Sequence, residues 1–268
     1  MRTKSMKKLA IFADYGIDDA AATISIFNSH TQFDEIAIIP IAGNVPVELS
    51  YRNCYTLLSN YANLLYKITV VNTCHVPQRS EYLADIHGHD GMGDFFTHPE
   101  EKVDVKEIKF EEWLEAYTGE ETVLSLGPMT LVKDAVMKKA PQSLVIMGGC
   151  VREEPNFNGY EFNHCLGIEA FNYCVKFPHT AITLDTCRIP TLDMRRYKID
   201  GDDIHSQIIR ADQVLSVSRG EDGCYVWDDV AANFILHPER FEIKTETDIA
   251  GNSINNAYYV SDKIYYED

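Results

Sequence analysis

The sequence predicts an α/β fold, a single domain with a mostly parallel central sheet flanked by helices. Along its 268 residues, apolar runs of strand length alternate with amphipathic or alanine-rich runs of helix length. Several of the strand-like runs end in a glycine or a polar residue followed by a turn, which suits a parallel sheet carrying its functional residues along one rim. No linker, repeat or low-complexity tract interrupts the chain, so residues 1–268 read as one unit. Its 45% hydrophobic content is enough for a substantial core.

The first strand is the apolar run 9–13, which reaches Asp14. Gly16 then permits a sharp turn, and Asp18 and Asp19 open an alanine-rich helix. Residues 35–42 form a second buried strand that ends in Gly43-Asn44. A helix over 48–66 follows, with Leu57, Tyr61, Leu64 and Leu65 available for one face, and 68–71 is a third strand. Periodicity fails over 80–97, where His, Gly and Asp accumulate, and a glycine-rich polar loop of that length is usually functional or mobile. Strand 122–126 enters Gly127-Pro128 and a helix over 129–139. Strand 143–147 enters Gly148-Gly149, and strand 180–184 reaches Asp185. Residues 230–236 are helix-like, and 256–260 are β-like.

Composition narrows the function. A formal charge of −17 repels phosphate backbones and anionic lipid, and there is no basic patch to offset it, so neither nucleic acid nor a membrane is expected as a partner. The apolar run after the basic first residues is broken by Asp14, unlike a signal peptide, and no stretch approaches the roughly 20 apolar residues of a membrane span. Seven cysteines without a CxxC pair fit reduced thiols, and hence a cytoplasmic location.

Three clusters carry chemistry. Asp14, Asp18 and Asp19 gather at a strand's carboxyl end, and such crowding suits a hard cation; alternatively, Asp18 and Asp19 only cap a helix. Asn156, Asn158, Glu161 and Asn163, interleaved with Phe157, Tyr160 and Phe162, offer the polar and apolar contacts a polyhydroxylated ring needs; they would equally serve turns. Trp227 and Asp228 place an aromatic beside a carboxylate just before a helix, a pattern that a cap next to a core tryptophan also gives.

The stretch Asp14-Tyr15-Gly16-Ile17-Asp18-Asp19-Ala20 resembles the N-terminal signature of the inosine-uridine preferring nucleoside hydrolase family, usually Asp-x-Asp-Pro-Gly-x-Asp-Asp-Ala. Similarity continues through Gly43-Asn44, Arg52-Asn53, His87-Gly88 with Gly91-Met92-Gly93, and Gly127-Pro128-Met129-Thr130, then Met147-Gly148-Gly149 and Glu161-Phe162-Asn163. These motifs stand in the family's order over about residues 8–240. The resemblance implies a Rossmann-like core and hydrolysis of the N-glycosidic bond of ribonucleosides to free base and ribose.

By the same resemblance, Asp14, Asp19, the Leu126 carbonyl and Asp228 hold Ca2+, with two ribose hydroxyls and a water completing the shell. Asp14 also serves as the base toward that water. Asp18, Asn44, Met147, Glu161 and Asn163 line the sugar, and Asn156 joins them although it stands one place later than the family's asparagine. Trp227 replaces the histidine of pyrimidine-tolerant members, so purine nucleosides are favoured through stacking that promotes protonation of the base. His87 is a base contact or proton donor, since an imidazole titrating near neutrality suits acid catalysis.

The expected partners are a small nucleoside and further copies of the chain, as a homodimer or homotetramer. Phe12 replaces the first aspartate of the signature, Tyr15 its proline, which loosens the turn, and the chain is short after Asp228. These departures motivate an alternative, a divergent member that binds calcium and a ribosyl ligand with little turnover. A magnesium phosphotransferase of the haloacid-dehalogenase type lacks its Asp-x-Asp here, because Phe12 and Ala13 precede Asp14.

Overall fold

The structure, a computed structural model, describes residues 6–29, 32–60, 67–94 and 103–261. The first apolar run forms β1 (Lys8–Ala13), and the alanine-rich run forms α1 (Ile17–Asn28). They are followed by β2 (Glu35–Pro40), α2 (Val47–Ser59), β3 (Lys67–Asn72) and a single helical turn, α3 (Ala84–His87). Then come β4 (Lys106–Lys109), α4 (Phe110–Ala116), β5 (Thr122–Ser125), α5 (Thr130–Lys138) and β6 (Ser143–Met147). Helices α6 (Phe162–Leu166) and α7 (Ile168–Cys174) lead to β7 (Thr180–Ile182) and α8 (Leu184–Cys187). The described chain closes with α9 (Ile204–Ser218), α10 (Trp227–Leu236), β8 (Phe241–Thr247) and β9 (Ser253–Tyr259).

The nine strands of the described residues share one sheet in the order β4-β3-β2-β1-β5-β6-β7-β9-β8. Every neighbouring pair is parallel except β8 and β9, which form an antiparallel hairpin at one edge. The β-like 256–260 of the sequence belongs to that hairpin, and β8 lies mostly exposed at its rim. Strand β1 sits between β2 and β5, so the chain winds outward from β1 in both directions. A sheet that reverses in this way opens a crevice at its strands' carboxyl ends, which is where the motif residues were expected.

Side-chain alternation along β1 divides the core. Leu9, Ile11 and Ala13 pack on the face covered by α1, α2, α9 and α10. Ala10 and Phe12 face the opposite layer, built from α4, α5 and α7. The predicted helix over 48–66 ends at Ser59 with Leu57 buried as expected, while Tyr61, Leu64 and Leu65 lie outside the described residues. Within 80–97 the chain makes α3, and 95–97 lie outside the described residues. Among the described residues no helix is long and apolar enough to cross a membrane.

Phe12 shows what replaced the signature's first carboxylate. It is fully buried, with its ring edge-to-face against Trp113 at a centroid distance of 5.5 Å. Phe12→Ala should therefore cost about 3–5 kcal/mol in urea unfolding. Phe12→Asp, which restores the family's residue, should cost at least as much, because its charge would enter a face lined by Trp113, Ile39 and Ile146. A Phe12→Asp chain as stable as the parent would refute this packing.

Candidate active site

Asp14 emerges from the end of β1 into a space that only glycines leave open. A Cβ at Gly43 would lie 1.9 Å from Asp14 Oδ2, and one at Gly127 would lie 2.8 Å from Asp14 Cγ. The Asn44 backbone N–H donates to Asp14 Oδ2 at 2.7 Å, and Asn44 Nδ2 donates to Oδ1 at 3.3 Å. Between Asp14 and α1 the chain passes through Tyr15 at φ 38°, a left-handed conformation that proline cannot adopt. The turn is thus built differently from one with proline at this place. The Tyr15 ring is fully buried, and Asn53 Nδ2 donates to the Tyr15 carbonyl at 3.3 Å and to the Asp90 carbonyl at 2.7 Å.

Asp19 is at once a cap and a member of the acidic cluster. It accepts the backbone N–H of Gly16 at 2.8 Å and of Asp14 at 3.1 Å, which satisfies donors at the start of α1. Asp18, its neighbour, keeps its Oδ1 buried without a hydrogen-bond partner. At the start of α10, Asp228 and Asp229 diverge. Asp228 joins the site, and Asp229 turns to His205 at 3.3 Å.

Ligand atoms of Asp18, Asp19 and Asp228 lie within 4.8 Å of one another, all three residues buried. Asp14, expected among the metal ligands, falls outside this trio, and Asp18, expected at the sugar, falls inside it. Burial pushes Asp14 up to about 7 against the pull of the Asn44 N–H. Burial, then the charges of Asp212 and Asp14, push Asp18 up to about 7 as well. Asp19 and Asp228 are raised well above the carboxylate range, first by burial and then by the neighbouring acids. Such a group must hold either protons or a cation. Its donors are hard oxygens, Asp18 Oδ1 is unpartnered, and the set therefore fits calcium or magnesium. The Leu126 carbonyl accepts Asn163 Nδ2 at 2.8 Å and keeps a second lone pair.

Above these acids opens a cavity of about 610 Å³. Every expected site residue borders it except Asp14 and Asp19, which are fully buried. Asn163 Nδ2 also reaches the Met147 carbonyl at 3.2 Å, so Asn163 bridges the ends of β5 and β6 while its buried Oδ1 has no partner. Glu161 caps α6: its carboxylate accepts the N–H groups of Asn163, His164 and Gly149 at 2.9–3.0 Å. Asn156 is exposed at the cavity wall, apart from the buried polar residues.

Two of the expected residues have surroundings that the sequence did not show. His87 Nδ1 accepts the Ile17 N–H at 3.2 Å, and burial, followed by the charge of Arg219, pushes the imidazole down to about 3. His87 is a neutral ring at neutral pH and carries no charge-borne proton to donate. Trp227 borders the cavity as expected, but a cation already covers one face of its indole, with Arg188 Cζ 5.4 Å from the ring centroid. Arg188, Asp212 and Arg219 all line the cavity, and none belongs to a motif. The one signal for Arg188 was its place just past a strand end on the same rim.

The chain matches the model of the inosine-uridine preferring nucleoside hydrolase family over residues 9–262. It is 26% identical over 264 residues to uridine nucleosidase 1 of Arabidopsis thaliana, a span of 89% of this chain and 76% of that protein. Its fold is similar to that of a purine-preferring ribonucleoside hydrolase from Gardnerella vaginalis, with a TM-score of 0.69 and 19% identity over 96% of this chain and 94% of that one. An inosine-guanosine nucleoside hydrolase gives a TM-score of 0.71 and 19% identity over 95% and 94% of the two chains. The solved structures speak for the fold, and the family match spans nearly every element that supplies the site. This chain belongs to the inosine-uridine preferring nucleoside hydrolase family, and so is an N-glycosyl hydrolase.

Proposed function

We propose that this protein is a calcium-dependent ribonucleoside hydrolase that favours purine nucleosides. The observation that carries this is the buried trio of Asp18, Asp19 and Asp228 beneath a cavity walled by Trp227. Asp19 and Asp228 would hold the ion together with Asp14 and the Leu126 carbonyl, and Asp18 lies close enough to share it. When bound, calcium would grip sugar hydroxyls and lower the cost of deprotonating water.

The chain's own residues would do the rest. Asp14, held by Asn44, takes a proton from the attacking water. As the bond between the anomeric carbon and the base nitrogen breaks, its electron pair leaves with the base. Positive charge grows on the sugar, and the surrounding carboxylates stabilise it more than they stabilise the neutral substrate. The hydroxide equivalent adds to the anomeric carbon, and the proton ends on the departed base. Asp18 Oδ1 and Asn163 Oδ1, both buried without partners, would accept the 2′ and 3′ hydroxyls, with Asn44 and Met147 beside the sugar and Glu161 toward the 5′ end. His87 would contribute a neutral contact. The named relatives include both uridine and purine enzymes, so the preference for purines stands on Trp227 alone.

A calcium chelator should abolish release of ribose from inosine, and added calcium should restore it. Asp14→Ala should lower kcat by at least a hundredfold, roughly the contribution of a general base. Unchanged release in either experiment would sink the proposal, and calcium and ribose binding without turnover would favour the non-hydrolysing alternative. Trp227→Ala should lower kcat for purine nucleosides by roughly ten- to a hundredfold, the scale of one base-aromatic stack, and more than it raises KM. An unaltered kcat would remove stacking from the mechanism.

The raised acids also set a pH dependence. Asp14 and Asp18 are shifted from 3.8 to about 7, so each binds its proton more tightly folded than unfolded. Their contribution to stability is full below the unfolded value and is lost as pH rises through the folded one. The metal-free chain should therefore melt several degrees lower near neutral pH than near pH 4, and calcium should reverse most of that fall. A melting temperature independent of pH and calcium would contradict the burial of these acids.

A further inference from the structure

We propose that Arg188 selects the base, anchoring the carbonyl-bearing edge of a 6-oxopurine beside Trp227 and disfavouring a base with an amino group there. This deepens the hydrolase reading of the same cavity and rests on it.

Arg188 ends α8 at the cavity wall, with its guanidinium over the Trp227 indole. Nη1 is occupied, donating to Glu153 Oε2 and to the Glu154 carbonyl, each at 3.3 Å. Among the described residues neither Nε nor Nη2 donates a hydrogen bond, and these two form one edge of the planar fork. The side chain is 30% exposed and lines the cavity, where a ligand can meet it. The anchor is itself fixed. Asp185, one turn earlier on α8, accepts the backbone N–H groups of Val151, Arg152 and Glu153 at 2.7, 2.8 and 3.3 Å. The same helical turn thus carries Arg188 and ties down the loop that holds Glu153.

A guanidinium edge offers two donors. Hypoxanthine and guanine answer with two adjacent acceptors, O6 and N7, whereas adenine presents an amino donor next to N7. Uracil has two carbonyls, but they flank an N–H and allow one such bond. Charge points the same way. The electron pair released into an oxopurine spreads onto O6, where a guanidinium stabilises it, while a base protonated before departure would meet Arg188 as a like charge. Trp227 is then a platform for base and guanidinium together, not a partner for a cationic base.

The test compares kcat/KM for inosine, guanosine, uridine and adenosine in the parent chain, Arg188→Gln and Arg188→Lys, with melting temperatures. Dissociation constants of the free bases hypoxanthine and adenine are measured alongside by equilibrium dialysis. The parent should prefer inosine and guanosine over adenosine by roughly ten- to a hundredfold, with uridine between. Arg188→Gln should collapse that ratio at an unchanged melting temperature. Arg188→Lys keeps the charge but not the fork, and should restore the ratio only in part.

Equal losses on all substrates, or a parent that prefers adenosine, would overturn the assignment. Should the parent hydrolyse nothing yet bind hypoxanthine more tightly than adenine in an Arg188-dependent way, the base assignment stands and the hydrolase reading falls. Equal binding of the two bases would remove the assignment of Arg188.

Discussion

The constraint on which this structure turns is the crowding of four buried aspartates at the floor of the cavity. Asp14 and Asp19 are fully buried and Asp228 nearly so. Such a group costs stability unless protons or a cation neutralise it. Much of the surrounding architecture serves that arrangement. The reversal of the sheet at β1 brings the strand ends together, and Gly43 and Gly127 vacate the volume that Asp14 needs. Backbone N–H groups of Asp14, Gly16 and Asn44 then aim at the carboxylates.

The parts of this plan that were legible in the sequence are those set by local pattern. β1 and α1 were readable because an apolar run, a glycine and paired aspartates are a strand, a turn and a helix start in succession. The parallel sheet followed from repeated strand ends of the same kind. Strand β4 and helices α4 and α9 went unread. Lys106-Glu107-Ile108-Lys109 lies at the sheet edge with little to bury, so it shows almost no apolar alternation, and α9 buries only Ile208, Ile209 and Ser216.

At the site, residue identity outran geometry. The motifs named the acids, but which three converge depends on side-chain directions around a turn whose Tyr15 conformation no propensity suggests. The low pKa of His87 comes first from burial in the fold and then from Arg219, remote in sequence, and so it was invisible. Arg188 was invisible for the same reason, since its surroundings come from a loop more than thirty positions earlier and a helix about forty later. Phe12 illustrates the opposite case. A departure from the signature that looked like a lost support is a well-packed aromatic on the far face of the sheet.

The edge hairpin carries one more implication. A nine-stranded sheet that ended on an apolar parallel strand would offer its open hydrogen-bonding row as a template for fibre growth. Here the last position is taken by β8, where Glu242, Lys244 and Glu246 alternate along the margin and Arg152 and Tyr258 engage Glu246. Such a border discourages edge-to-edge stacking of like chains, and it leaves the catalytic end of the sheet untouched.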